Sequence, residues 1–92
     1  MAYVITGAES YFKREKLFLK QHPDMQVRYE KALSLLQENP FHPGLRLHAL
    51  QGKYKGYHSV SISMQYRMTI DLLIQDREVI LINIGSHDEV YG

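Results

Sequence analysis

The last nine residues combine several side chains that can take part in acid–base chemistry. The segment from Ile84 to Gly92 reads IGSHDEVYG, so an apolar stretch runs out into a glycine, a serine, His87, two carboxylates and Tyr91. An imidazole gains and loses a proton near neutral pH and can act as a general acid or base. What His87 does depends on the side chains that the fold places opposite it.

Cations and imidazoles elsewhere in the chain complete a set that suits a phosphodiester. The set consists of His48, Lys53, Lys55, Arg67, His87 and Tyr91. Cleavage of RNA by its own 2′-hydroxyl needs a base for that hydroxyl, an acid for the leaving oxygen and fixed positive charge on the phosphate. Histidine can transfer the protons, and arginine presents a planar fork to phosphate oxygens. A plainer interpretation is also open, in which Lys53 and Lys55 are a solvated turn and Arg67 a surface cation.

Other kinds of site find no support in the sequence. The absence of cysteine excludes thiolate catalysis and cysteine-based zinc sites. The five histidines do not show the spacing of a compact ligand motif, so we expect no metal. A nucleophile elbow and a phosphate-binding glycine loop are both missing, and we expect no nucleotide or other cofactor.

Length and composition fit a small globular protein. The 92 residues suit one domain, residues 1–92, and 45% apolar with 23% charged residues are ordinary values. The net charge of +1 is too small to indicate nucleic-acid binding by itself. The N-terminus lacks the pattern of a signal peptide, and no apolar run is long enough to cross a membrane. We therefore expect a soluble, cytoplasmic protein without a membrane partner.

The first half of the chain has the apolar period of two helices. Thr6 and Glu9 have the spacing of a capping box, which predicts the start of a helix there. This helix pairs an apolar side with a basic face formed by Lys13, Arg14, Lys16 and Lys20. A second apolar stripe at helical spacing runs from Met25 to Leu36. Because only the turn at 22–24 separates the two, they should form an antiparallel hairpin.

The second half changes to the twofold period of strands. Apolar and polar residues alternate over 58–64 and over 67–74, and the stretch 79–84 is apolar on both faces. Leu45 to Leu50 supplies another strand, and the glycine-containing segment 52–56 is a loop after it.

The resulting order β-α-α-β-β-β-β predicts an α+β fold. The helical hairpin should pack on one face of a mainly antiparallel, curved sheet and leave part of the other face open. Successive side chains of a strand point to opposite faces, so Arg67 lies on the face away from Met68 and Ile70. His48 and the residues after Ile84 can approach Arg67 on this open face.

Three short motifs resemble the RelE/ParE toxin superfamily. They are L-x-x-L-x-G-K-Y-K-G at 47–56, Q-Y-R-M-T-I at 65–70 and I-G-S-H-D-E-V-Y at 84–91. The last is most similar to the YafQ-like mRNA interferases, and the β-α-α-β-β-β-β order matches the RelE-like fold over the whole chain. The resemblance implies a toxin of a type II toxin–antitoxin system that binds in the ribosome, cleaves mRNA through 2′-hydroxyl attack without a metal, and is held inactive by a cognate antitoxin.

The resemblance also implies roles for individual residues. Arg67 matches an arginine that stabilises the scissile phosphate, and His48 and His87 match histidines of the YafQ-like branch, so these three are the expected catalytic residues. The expected substrate-binding residues are Lys53, Lys55, Tyr66 and Tyr91. Gln65 and Tyr66 depart from the acidic residue and tryptophan of that branch, which leaves open which group is the acid and which the base.

A second function class stays open on the sequence alone. A ParE-like toxin that inhibits a protein target, or a relic that only binds its antitoxin, would share the fold without cleaving RNA. Two imidazoles near an arginine favour the enzyme, because a pure binding module has no need of them.

Overall fold

The computed structural model describes residues 2–91, apart from the side chains of Glu89 and Tyr91. The helices of this part are α1 (Glu9–Gln21), α2 (Gln26–Glu38) and α3 (His87–Tyr91). The strands are β1 (Val4–Gly7), β2 (His48–Ala49), β3 (His58–Ser61), β4 (Tyr66–Leu73) and β5 (Glu78–Ser86). The predicted order is confirmed, with the short α3 added at its end. Among these helices, none combines the length and the apolar character needed to span a bilayer.

The five strands form one mixed sheet in the order β1-β5-β4-β3-β2. β1 runs parallel to β5, and the remaining neighbours are antiparallel, as the sequence predicted for most of the sheet. Within it Arg67 is paired with Ser61 on β3 and with Gly85 on β5. Arg67 therefore sits in an interior strand, held by backbone pairing on both sides.

The helical hairpin packs its apolar side against the sheet, as predicted. A 3₁₀ turn at Pro23–Met25 joins α1 to α2. The core that the helices and the sheet bury between them includes Tyr11, Phe18, Tyr29, Ala32, Leu36, Val60, Met68, Ile70, Val79 and Leu81. Burial of this apolar surface is the main driving force that fixes the sheet on which the site is built.

The predicted capping box at Thr6 is wrong. Thr6 belongs to β1, where its hydroxyl donates a hydrogen bond to the Glu78 carboxylate at 2.9 Å. Helix α1 begins after Ala8, whose side chain makes no capping hydrogen bond. Pairing of β1 with β5 places Thr6 beside another acceptor, and this tertiary contact overrides the local signal.

The strand predicted over Leu45–Leu50 is largely replaced by a turn. A 3₁₀ turn covers Pro43–Leu45, Arg46 adopts a left-handed conformation with φ of 51°, and only His48–Ala49 pair in the sheet. Left-handed backbone cannot continue an extended ladder, so the strand begins two residues after Arg46. The predicted strand at 58–64 is likewise shorter, because β3 ends at Ser61.

The last strand is longer than the apolar stretch 79–84 that predicted it. β5 continues to Ser86, and α3 follows directly and packs against β4 and β5. Val90 is buried in that contact. Helix α3 is therefore anchored to the sheet, and it covers part of the predicted open face.

A buried hydrogen-bond chain joins the two long helices. The Tyr29 hydroxyl donates to the Glu15 carboxylate, and the Tyr11 and Tyr29 hydroxyls lie 2.8 Å apart. Because the proton of Tyr29 is used toward Glu15, Tyr11 donates to Tyr29. Burial raises the pKa of both Tyr11 and Tyr29 well above the usual tyrosine value, so both hydroxyls keep their protons near neutral pH.

We expect Tyr29→Phe to lower thermal stability, because it removes the donor to Glu15 and the acceptor of Tyr11. A buried polar group that loses its partner costs about 1–3 kcal/mol. For a chain of this size each kcal/mol corresponds to about 4–8 °C in Tm, which calorimetry resolves. The matched control is Tyr3→Phe, since no hydrogen bond of the Tyr3 hydroxyl is found within the described residues. Equal losses in the two variants would show that the chain of hydroxyls adds nothing.

Candidate active site

A pocket of about 450 Å³ brings together side chains from four segments of the chain. It is lined by His48, Leu50, Gln51, Lys53, Tyr54, Arg67 and His87. All three expected catalytic residues and one expected substrate-binding lysine therefore share one pocket. Among the described residues that line it, none is acidic, so the pocket favours an anionic ligand.

Arg67 supplies the fixed positive charge of the pocket. It is half-buried on β4, on the face of the sheet opposite that of the preceding Tyr66. Its Nη1 donates to the Ser61 hydroxyl across the β3–β4 pair at 3.5 Å. A hydroxyl leaves the charge of the guanidinium unneutralised, and the remaining donors can bind the oxygens of a phosphate.

His48 reaches the pocket from the short edge strand β2. Its partner in the sheet is Ser59, and its Nδ1 lies 3.1 Å from the carbonyl oxygen of Arg46. The side chain is exposed, so the second ring nitrogen can be reached by a substrate.

His87 enters the pocket as the first residue of α3. Gly85 and Ser86 finish β5 immediately before it, so the side chain is presented at the end of the strand that pairs with Arg67. Its Nδ1 lies 4.0 Å from the Asp88 carboxylate, and the His87 side chain is 72% exposed. An ion pair this exposed contributes little stability.

The loop between β2 and β3 contributes a cation and an aromatic ring. A 3₁₀ turn at Gly52–Tyr54 places both Lys53 and Tyr54 at the pocket, and the Lys53 ammonium lies 5.2 Å from the centre of the Tyr54 ring. The glycines at both ends of the loop, 52 and 56, have φ of 66° and 100°. Residues with side chains rarely adopt such values, so the glycines allow this tight turn.

Tyr66 does not lie in the pocket. It is on the helix side of the sheet, where its ring packs against Phe18 and His22 and its hydroxyl lies 3.2 Å from His22 Nδ1. The reason is the strand itself, since adjacent side chains point to opposite faces and Arg67 occupies the pocket side. Tyr66 therefore does not contribute to this pocket, and its contacts indicate that it anchors β4 to α1; its role in substrate binding stays a prediction.

Two other expected substrate contacts remain away from the pocket or outside the structure. Lys55 follows the 3₁₀ turn and is exposed, but it does not line the pocket. The side chain of Tyr91 lies outside the described residues.

Sequence reasoning missed Tyr54 and Ser61. Tyr54 stands between two lysines in a glycine-flanked loop, and an aromatic ring among cations is a signal for binding unpaired bases that could have singled it out. Ser61 had no such signal, because its contact with Arg67 depends on the register of β3 against β4.

Within the described part of the chain, no three potential metal ligands from His, Asp or Glu gather closely enough to hold an ion. The groups available in the pocket are thus two imidazoles that can exchange protons and two cations that can bind oxygen anions. Such a set can support proton transfer on either side of a bound phosphate.

Solved structures share this fold over nearly the whole chain. The toxin of the DinJ–YafQ toxin–antitoxin complex of Escherichia coli is 26% identical, with 100% of both chains covered and a TM-score of 0.80. A copper-bound mutant toxin from Helicobacter pylori is 30% identical over 99% of this chain and 100% of its own, with a TM-score of 0.72. A YoeB/ParE toxin from Agrobacterium tumefaciens shares the fold at 15% identity, covering 91% and 98% of the two chains with a TM-score of 0.75.

Comparison of the sequence alone detects no relative. No protein-family model matches the chain, and no curated protein sequence matches it. The motif resemblance at 47–56, 65–70 and 84–91 nevertheless agrees with the structural likeness, which includes 30% identity over the full length of the Helicobacter toxin. The chain belongs to the RelE/ParE superfamily of toxins.

Proposed function

We propose that this protein is the toxin of a toxin–antitoxin system and that it cleaves mRNA on the ribosome. The observation that supports this most is the convergence of His48, Arg67 and His87 on one pocket whose described lining holds no carboxylate. A surface that only docks a protein does not need two imidazoles on either side of an arginine. The likeness to the toxin of the DinJ–YafQ complex supports the same proposal.

In the proposed reaction the 2′-oxygen of a nucleotide attacks the adjacent phosphorus. His48 takes the proton of the 2′-hydroxyl, the new P–O2′ bond forms, the P–O5′ bond breaks, and His87 gives a proton to the departing 5′-oxygen. The products are a 2′,3′-cyclic phosphate and a 5′-hydroxyl. Arg67 and Lys53 bind the phosphate oxygens that gain negative charge, so the groups of the chain suffice without a metal.

Single-stranded mRNA fits the remaining lining. An aromatic ring can stack on an unpaired base. Tyr54 lines the pocket and can provide such a ring. The net charge of +1 provides little attraction for free RNA, so we infer that the ribosome supplies most of the binding surface.

Expression of the toxin alone in a bacterial host should arrest growth and produce new mRNA 5′ ends. The cuts should fall at fixed positions within codons, because a toxin bound to a translating ribosome reads mRNA in its frame. Mapping of 5′ ends before and after induction measures this, and untranslated RNA in the same cells is the control. Growth arrest without new 5′ ends would favour a ParE-like toxin acting on a protein, and absence of any arrest would favour a relic.

We further propose an antitoxin that binds this chain and is encoded next to it. The basic face of α1 is a docking surface for this partner. Lys13, Lys16 and Lys20 are exposed there, whereas Arg14 donates a hydrogen bond to the Asn83 side chain at 2.9 Å. Exposed cations favour an acidic segment of the partner. Co-purification from the native host should recover a small acidic protein, and its release by salt should be easier after the three lysines are replaced by glutamine.

A further inference from the structure

Arg46 holds an unusual backbone conformation beside the proposed base. Its φ and ψ are 51° and 45°, a left-handed combination that is sterically disfavoured for residues with a side chain. Among the described residues other than glycine, only Arg77 shares a positive φ. Disfavoured conformations persist where the surrounding structure fixes them and often accompany functional sites.

The backbone N–H and the carbonyl of Arg46 each make one hydrogen bond. Its N–H donates to the Pro43 carbonyl at 3.2 Å and closes the 3₁₀ turn, while its own carbonyl faces His48 Nδ1 at 3.1 Å. In the extended strand that the sequence predicted for 45–50, this carbonyl would be directed at a neighbouring strand. The left-handed turn therefore makes it available to the imidazole.

The contact between Arg46 and His48 decides the tautomer of His48. A carbonyl oxygen can only accept a hydrogen bond, so Nδ1 must carry the proton. In the neutral ring the lone pair is then on Nε2, which is the nitrogen left for a substrate hydroxyl. Without this carbonyl both neutral tautomers are open to the ring, and one of them presents an N–H where a base is needed.

We propose that Arg46 is a positioning residue whose left-handed backbone keeps His48 in the tautomer of a general base. The inference rests on the proposed function, in which His48 takes the proton of the 2′-hydroxyl. The backbone carries this role, because the Arg46 guanidinium is turned toward Met64, with Nη1 3.4 Å from its sulfur. Any residue that accepts the left-handed conformation should therefore be able to replace arginine.

The imidazole ¹⁵N shifts of His48 test the proposal independently of cleavage. In the wild-type chain, at a pH where the ring is neutral, Nδ1 should have the shift of a protonated nitrogen and Nε2 that of an unprotonated one. His42 is an internal reference for the opposite tautomer, since its Nδ1 accepts a hydrogen bond from the Gly44 N–H at 3.0 Å. An Nε2-protonated His48 in the wild type would overturn the proposal.

Two substitutions at Arg46 separate backbone from side chain. Arg46→Gly tolerates the left-handed conformation and should keep both the tautomer and most of the single-turnover cleavage on ribosomes. Arg46→Val disfavours it and should give a mixture of tautomers and cleavage slower by about ten- to a hundredfold. Loss of cleavage in Arg46→Gly with an unchanged tautomer would assign the effect to the guanidinium and overturn the proposal.

Arg77→Val is the matched control for backbone strain. Arg77 has a φ of 52°, and its carbonyl accepts a hydrogen bond from the Val4 N–H at 2.8 Å, far along the chain from His48. This variant should lose stability but leave the tautomer and the cleavage unchanged. A change in the His48 tautomer in Arg77→Val would show a general loosening of the fold and contradict a local role of Arg46. If wild-type protein has the expected tautomer but cuts no mRNA, the proposed function fails while the positioning geometry stands.

Discussion

Arg67→Ala should abolish growth arrest while leaving the fold intact. The Arg67 guanidinium supplies fixed positive charge to the pocket. Its backbone is held firmly, because β4 is paired with β3 on one side and with β5 on the other. Removal of one such group from a developing oxyanion typically costs about 2–4 kcal/mol of transition-state stabilisation, or about thirty- to a thousandfold in rate. Its only described side-chain hydrogen bond is the long one to Ser61, so Tm should change little.

Two variants sharpen this result. Arg67→Lys keeps a positive charge but loses the planar fork, and we expect single-turnover cleavage between those of the wild type and the alanine variant. Arg28→Ala removes an exposed cation of α2 that does not line the pocket, and it changes the net charge by the same amount. If Arg67→Ala arrested growth as strongly as the wild-type protein at equal expression, Arg67 would not bind the phosphate.

The placement of Arg67 could be predicted because it follows from a simple period. Apolar and polar residues alternate along β4, which indicates the side chains that enter the core. Because successive side chains point to opposite faces, Arg67 then lies on the other face. The same argument, applied to Tyr66, excludes it from the pocket. The resemblance of the motif at 65–70 suggested Tyr66 as a substrate contact, but the strand geometry places its side chain on the opposite face from Arg67.

Contacts that depend on turns and on the chain end could not be predicted in this way. The left-handed Arg46 follows from the closure of a 3₁₀ turn against Pro43, and no residue type at that position signals it. Helix α3 has five residues, too few for a helical period, and packing of Val90 against the sheet holds it. The presentation of His87 thus depends on tertiary packing, although its chemistry was visible in the sequence.

The charge distribution of the pocket makes the weak overall charge compatible with the proposed RNA substrate. Cations gather at Lys53 and Arg67, and the described lining holds no carboxylate. A local field of this kind orients a phosphate at the site without attracting RNA over the whole surface. Affinity for mRNA would then come from the ribosome, and the residues of the pocket would act mainly on the chemical step.

His87→Gln should lower single-turnover cleavage on ribosomes by about a hundredfold or more, the loss expected for a positioned proton donor. Glutamine keeps a similar size and can still form hydrogen bonds, but it cannot transfer a proton, so ribosome binding should be nearly unchanged. His87→Ala should be at least as slow. The same replacement at His42, an exposed loop histidine outside the pocket, is the control and should leave cleavage intact.

His87→Arg separates proton transfer from charge. Arginine keeps a positive charge at this position, but it stays charged and cannot give up its proton. If His87 is the general acid, His87→Arg should therefore cleave as slowly as His87→Gln. Retained cleavage in His87→Arg would mean that His87 supplies only charge. Retained cleavage in His87→Gln would mean that neither the proton nor the charge of His87 is needed, and that the start of α3 is a binding element.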